Sequence, residues 1–240
     1  LPSVLATVDR PQLPLPAVAP PGSNTFRSGG SRKLQTELLF GIAYARQEFG
    51  LEDQSAAPLR DLRQSSEYPE FGYQITLRGT YQVSERLRLL AGLTYAQIRN
   101  ELEYEIFNNG SSTFVRTNNN INLLEVPVLL GYSVPGRRVN VTVNAGPLVN
   151  LATSARGRFL DPDFGQPLDL ATEGNYRKNV GIGFMASLST TYRVGKKYPF
   201  TLLVEPYFKT YPTAFTVKGA SLRESYWVAG IQLGVRKTLR

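Results

Sequence analysis

FGYQITLRGTYQV, residues 71–83, places Phe71, Tyr73, Ile75, Leu77, Tyr81 and Val83 on one face of an extended chain, with Gly72, Gln74, Thr76, Arg78, Thr80 and Gln82 on the other. Side chains alternate along a strand, so the pattern describes a sheet whose two faces meet different surroundings. Seven more segments repeat it. KLQTELLFGIAYA (33–45) sets Leu34, Thr36, Leu38, Phe40, Ile42 and Tyr44 against Gln35, Glu37, Gly41 and Ala43, and VNVTVNAGPLVNL (139–151) sets Val139, Val141 and Val143 against Asn140, Thr142 and Asn144. Further strands are expected at 87–96, 123–134, 180–189, 200–209 and 226–236.

The connections alternate in length. SER near Glu85, PGRR (135–138) and GKKYP (195–199) are short, whereas 47–70, 99–120, 152–178 and 210–224 are long. An even strand count with tight turns at one end and long loops at the other predicts an all-β fold, an eight-stranded antiparallel up-and-down transmembrane β-barrel over residues 33–240. Both termini then lie on the tight-turn, periplasmic side of a Gram-negative outer membrane. No segment carries a helical period, and no run of 18 apolar residues could make a spanning helix. Residues 1–32, with six prolines in the first 22, read as an extended periplasmic linker or tether.

Alternation also fits a soluble, lipocalin-like ligand-binding barrel with its apolar face turned inward. Three features favour the membrane. The polar face is built of Gly, Ser, Thr, Asn and Gln with few charges, which suits a narrow interior. Aromatics on the apolar face gather in two girdles: Tyr44, Tyr73, Tyr95, Phe208 and Trp227 towards the long loops, and Tyr81, Tyr132, Tyr192 and Phe200 towards the tight turns. Tyr73 and Tyr81 are then roughly 26 Å apart along the strand, close to the ~25 Å apolar band once tilt is allowed for.

Charge is the third. The chain has 27 Lys and Arg against 19 Asp and Glu, a net +8 that first suggests nucleic acid or an anionic surface. Twelve basic residues collect at the tight-turn rim: Arg32, Lys33, Arg86, Arg88, Arg137, Arg138, Arg193, Lys196, Lys197, Arg236, Lys237 and Arg240. The long loops carry both signs in near balance. The excess therefore reads as a rim facing lipid headgroups or periplasmic polyanions, and nucleic acid is not an expected partner.

Eight charged residues fall on the inferred interior face: Glu37, Arg78, Arg88, Glu125, Arg193, Glu205, Lys209 and Arg236. A barrel of this size is just wide enough for side chains to fill, so unlike charges there are expected to pair. A gated ion or solute path is the alternative, and an acid/base pair of Glu125 and Glu205 a weaker one. The chain has no His and no Cys, which removes disulfides, Cys/His zinc sites, thiol nucleophiles and Ser-His-Asp catalysis. Asp161, Asp163 and Asp169 lack the EF-hand spacing and read as a surface loop. No catalytic, cofactor-binding or metal-ligating residue is expected.

LEVPVLLGY (124–132), then VNVTVNAGPLVNL, then LLVEPYFK (202–209), resemble the Bacteroidota outer-membrane β-barrel family that includes the PorT-like proteins, through Glu125, Pro127, Gly146 and Glu205. The resemblance implies an eight-stranded barrel of the cell envelope. A Pro-rich tether ahead of a barrel also resembles, in layout, the C-terminal part of dual-membrane-spanning anti-sigma proteins. The expected function is non-enzymatic: an envelope anchor for signalling or complex assembly, in contact with outer-membrane lipids and lipopolysaccharide and with a protein partner reached through the tether or loops. A narrow channel for ions or small solutes is the alternative.

Overall fold

Eight of the ten strands among the described residues hydrogen-bond side by side until the last meets the first. They are β1 (Leu34–Leu51), β2 (Glu67–Gln82), β3 (Leu87–Asn108), β4 (Ser111–Val134), β5 (Val139–Arg156), β8 (Ile182–Arg193), β9 (Phe200–Tyr211) and β10 (Leu222–Thr238). Their order in this computed structural model is β1-β10-β9-β8-β5-β4-β3-β2, every pairing antiparallel, so the barrel closes through β1 and β10. β6 (Arg158–Leu160) and β7 (Pro167–Asp169) form a small separate hairpin. The structure describes residues 34–51, 54–108, 111–134, 139–160, 167–170, 175–193, 200–220 and 222–239, all within one unit, Arg32–Arg240. The tether assigned to residues 1–32 lies outside them.

The alternation runs as the sequence requires. Leu38, Phe40, Ile42, Leu77, Leu93, Leu130, Val143, Phe184 and Leu233 are exposed, while Gln74, Thr80, Asn144, Ser189 and Gln232 are buried. This reverses the distribution of a water-soluble protein, in which large apolar patches are covered and polar side chains face out. An apolar surface encircling a closed barrel needs a hydrocarbon solvent, which rules out the inward-facing soluble arrangement.

Two expectations need correction. The segment 99–120 is not a loop, because β3 and β4 stay paired from Leu87↔Tyr132 to Asn108↔Ser111. Its amides and β-formers sustain the ladder far past the apolar band, where alternation loses its hydrophobic signature. Segment 47–70 contains a helix, α1 (Ala57–Ser66), preceded by a 3-10 turn, Gln54–Ala56. Pro58 opens it, where a missing N–H costs nothing, and Glu67 ends it in extended conformation. Its buried residues include Arg63 and Ser66, while Leu62 is exposed. That inverted stripe explains why hydrophobic periodicity does not reveal it.

Inside, the lumen is filled in two zones. Polar and charged side chains occupy the tight-turn half. Towards the long loops an apolar cluster takes over, including Ala45, Ile98, Leu123, Val180, Tyr211, Tyr226 and Val228. Phe215, from the β9–β10 connection, is fully buried there, with its ring edge-on to Tyr211 at 5.3 Å and to Tyr226 at 4.8 Å between centroids.

Candidate functional site: the barrel lumen

Inward positions on β1, β2, β9 and β10 bring Glu37, Arg78, Glu205 and Arg236 to one level. The registers Glu37↔Arg78 and Glu37↔Arg236 make these residues direct cross-strand neighbours. Arg78 bridges two carboxylates: Nε donates to Glu37 at 2.8 Å, and the two terminal nitrogens donate to Glu205 at 3.0 and 2.7 Å. This fork matches a carboxylate bidentately. Arg236 Nε donates to Glu37 at 2.7 Å and Thr80 donates to it at 2.8 Å. Gln232 donates to Glu205 at 2.9 Å, Ser189 also donates to it, and Gln74 donates to Gln232 at 2.7 Å. Gly92 lies opposite Arg78, and a Cβ on Gly92 would meet the Leu77 carbonyl oxygen at 2.2 Å.

One level higher, Lys209 Nζ donates to Glu125 at 2.8 Å and the Tyr211 hydroxyl donates to the same carboxylate. Lys209 also lies over the Tyr207 ring at 5.6 Å. Six of the eight expected interior charges are thus buried in ion pairs. Arg88 is buried too, but its Nη1 has no partner among the described residues. The Arg193 side chain lies outside the described residues. Glu125 and Glu205 each face a cation of their own, Lys209 and Arg78 respectively.

A third cluster lies at the long-loop end of the lumen. Arg63 of α1 reaches into it, with Nε donating to Glu67 at 2.6 Å and a terminal nitrogen donating to Glu224. Gln47 donates to Glu224 at 2.8 Å, and the Tyr176 hydroxyl also donates to it. Burial pulls the Arg63 pKa down, but the facing Glu224 and Glu67 carboxylates outweigh it and hold the guanidinium well above its usual range. Burial, then Glu224, push Tyr176 well above its usual value. Sequence reasoning missed this cluster. Glu224 has the inward parity of Gln232 and Arg236 and was legible had β10 been extended by one turn of the pleat, whereas Arg63 was hidden by the unrecognised helix.

The girdle residues lie on the outer face of the barrel. Tyr44, Tyr95, Phe208, Tyr132, Tyr192 and Phe200 are exposed, and Tyr73, Tyr81 and Trp227 are half-buried. On the long-loop side they form a row, with centroids of Phe71–Tyr44, Tyr44–Trp227 and Trp227–Phe208 at 6.2, 6.2 and 6.0 Å. The basic rim is only partly described. Arg86 and Lys237 are exposed at it, and Arg86 donates to the Tyr132 hydroxyl at 3.2 Å. Arg88 and Arg236 do not contribute outward charge, because their side chains turn into the lumen. Arg32, Lys33, Arg137, Arg138, Lys196, Lys197 and Arg240 lie outside the described residues, as do Asp161 and Asp163. Among the described residues no cluster of three acidic side chains could hold a metal ion.

Solved structures share this architecture. The outer membrane protease OmpT of Escherichia coli superposes with a TM-score of 0.50 at 7% identity, covering 86% of this chain and 97% of that one. Neisserial surface protein A gives 0.45 at 12% identity, with 85% and 97% covered, and OprG of Pseudomonas aeruginosa 0.44 at 12%, with 88% and 98%. A sequence search of the curated proteins found no match. Residues 23–167, more than half of the chain, match the family model described as the outer membrane protein beta-barrel domain. With a closed antiparallel ring, an apolar exterior and a salt-bridged lumen already in place, the chain belongs to the outer membrane protein β-barrel domain family.

Proposed function

We propose that the protein is a non-enzymatic anchor of the outer membrane, oriented with its tight turns and both termini in the periplasm, whose Pro-rich N-terminal segment engages a signalling or assembly partner. The observation that supports this reading most directly is the filled lumen. Three tiers of ion pairs and an apolar layer occupy it, and the space bounded by Ala43, Gln74, Ile98, Leu123, Lys209 and Tyr211 amounts to only about 10 Å³, no more than a single water fills. A barrel closed in this way offers membrane attachment and two working ends rather than a path through its middle. The shared PorT-like features Glu125, Pro127, Gly146 and Glu205 favour the Bacteroidota branch, and the tether-plus-barrel layout favours an envelope signalling role. OmpT is a protease, but at 7% identity the likeness concerns the fold alone.

Capture of partners from envelope extracts by the full chain, compared with the chain lacking residues 1–32, tests the reading. Loss of a specific partner on removing the segment supports it, and an identical set overturns the tether's role. The channel reading is tested in planar bilayers. Reproducible single-channel conductance that changes in Glu125→Gln would replace the anchor by a pore.

A further inference from the structure

β1 and β2 part company before either strand ends. Their pairing stops at Tyr44↔Phe71, after which β1 runs on to Leu51 against β10 alone, and Glu67–Glu70 of β2 pair with β3 alone. The register of β2 on β3 slips between Glu70 and Tyr73. Gly72 stands at the slip, and a Cβ there would lie 1.9 Å from the Gln97 carbonyl oxygen, so the two backbones approach more closely than any side chain allows. A strand edge left open in this way is normally covered or occupied. Here α1 leans across the wedge without filling it, leaving a cleft of about 670 Å³.

The lining is specific in its chemistry. Tyr44, Trp227 and Tyr68 offer aromatic surface, and Gln47, Gln64 and Asn100 offer amides. Asn100 is 4% exposed; its Nδ2 donates to Gln47 at 3.1 Å and to the Tyr226 hydroxyl at 3.2 Å, while its Oδ1 has no partner among the described residues. A buried acceptor of this kind is served by a further hydrogen-bond donor, which a ligand hydroxyl in the cleft can supply. Charge does not define the cleft, because its arginines Arg46 and Arg60 are offset by Glu48 on the same strand face and by Asp61, which binds Arg60 at 2.7 Å. Rings that pack on C–H faces, with amides that read hydroxyl groups, suit a sugar.

The level of the cleft selects what carries the sugar. Tyr44, Trp227 and the paired Phe71 stand at the long-loop girdle, and immediately beyond them the exposed Ile42, Phe40 and Ile75 begin the apolar band. An occupant of the wedge thus meets polar groups above and hydrocarbon surface below. We infer that the β1–β2 wedge binds the saccharide headgroup of a glycolipid of the outer leaflet, its acyl chains lying along the outer face of β1 and β2. The inference rests on the proposed orientation, with the long loops outward.

Trp227 is the only tryptophan of the chain and lines the cleft, so its emission reports occupancy directly. The full chain is folded into phosphatidylethanolamine/phosphatidylglycerol nanodiscs, and lipid A, a diglucosamine glycolipid, is added at rising mole fraction. The expected result is a saturable change in Trp227 emission, with half-saturation raised about tenfold in Gln64→Ala, the loss of one or two polar contacts. Tyr68→Ala is the second variant, should the first not fold, and heat-modifiable gel migration verifies the barrel in each. Folded protein with no saturable change overturns the inference. An equal response to added phosphatidylglycerol shows that the cleft reads anionic headgroups instead, and an equal response to free glucosamine disaccharide shows that it reads soluble sugar; either overturns it. Failure of the anchor reading shows separately, as conductance in planar bilayers or an unchanged partner set, whatever Trp227 does.

Discussion

Two clusters in this lumen solve the same problem with different parts. In each, one arginine lies between two glutamates: Arg78 between Glu37 and Glu205, and Arg63 between Glu67 and Glu224. The first draws every member from barrel strands, so its geometry is fixed by the ladder itself. The second hangs its arginine on α1, a ten-residue helix too short to stand alone in water and held by what it docks against. Arg63 also lies over the Phe49 ring at 4.9 Å, which adds a contact that only a docked helix makes. The difference teaches that one set of side chains can staple a wall or latch a lid, depending on whether the cation belongs to the wall.

The comparison can be broken most forcefully at its rigid member. Arg78→Ala leaves the buried Glu205 without a cation and Glu37 with Arg236 alone, and is expected to cost roughly 3–5 kcal/mol, read as a lowered urea midpoint for unfolding from lipid vesicles. Adding Glu205→Gln to it, which removes the unpaired charge while Glu37 keeps Arg236, should recover much of the loss. Arg63→Ala is expected to act locally. With α1 free to undock, Glu67 and Glu224 can hydrate, so global stability should fall by only about 1–2 kcal/mol, while protease cleavage within residues 52–66 accelerates markedly. Equal global losses for the two arginines would remove the distinction between wall and lid.

A pH test sharpens the latch further. The Tyr176 pKa is raised well above its ordinary 10.0, so the docked mouth keeps the neutral phenol where the undocked chain ionises. The stability this supplies is full below pH 10 and is lost as pH rises beyond it. Protease sensitivity of α1 should therefore climb above pH 10, and Tyr176→Phe should flatten that rise. The smallest effect belongs to the rim. Tyr132→Phe removes an exposed contact with Arg86, and no measurable change in the urea midpoint is expected.

How much of this was legible follows from how local each signal is. Glu37, Arg78, Glu205 and Arg236 could be placed inside because strand parity alone decides which way they point, and burial of unlike charges obliges them to pair. Parity did not say which would pair with which. That required the register Glu37↔Arg78 and the closure of β10 on β1, which are contacts between residues far apart in the chain. The mouth cluster was less legible still, since α1 buries an arginine and exposes Leu62, contrary to the rule by which helices are recognised. Nor could alternation show where β1 and β2 separate, because both strands keep their period past the point where their hydrogen bonds end.

The sequence by itself determined the number of barrel strands, the face turned to lipid and the residues available to fill the lumen, since period-two patterning is a property of each segment alone. Tertiary structure decided the rest: which side chains meet inside the lumen, that a helix docks at one end, and that the wall carries a wedge at the level of the girdle. Those features depend on ring closure and register, which set distances between segments that no single segment encodes.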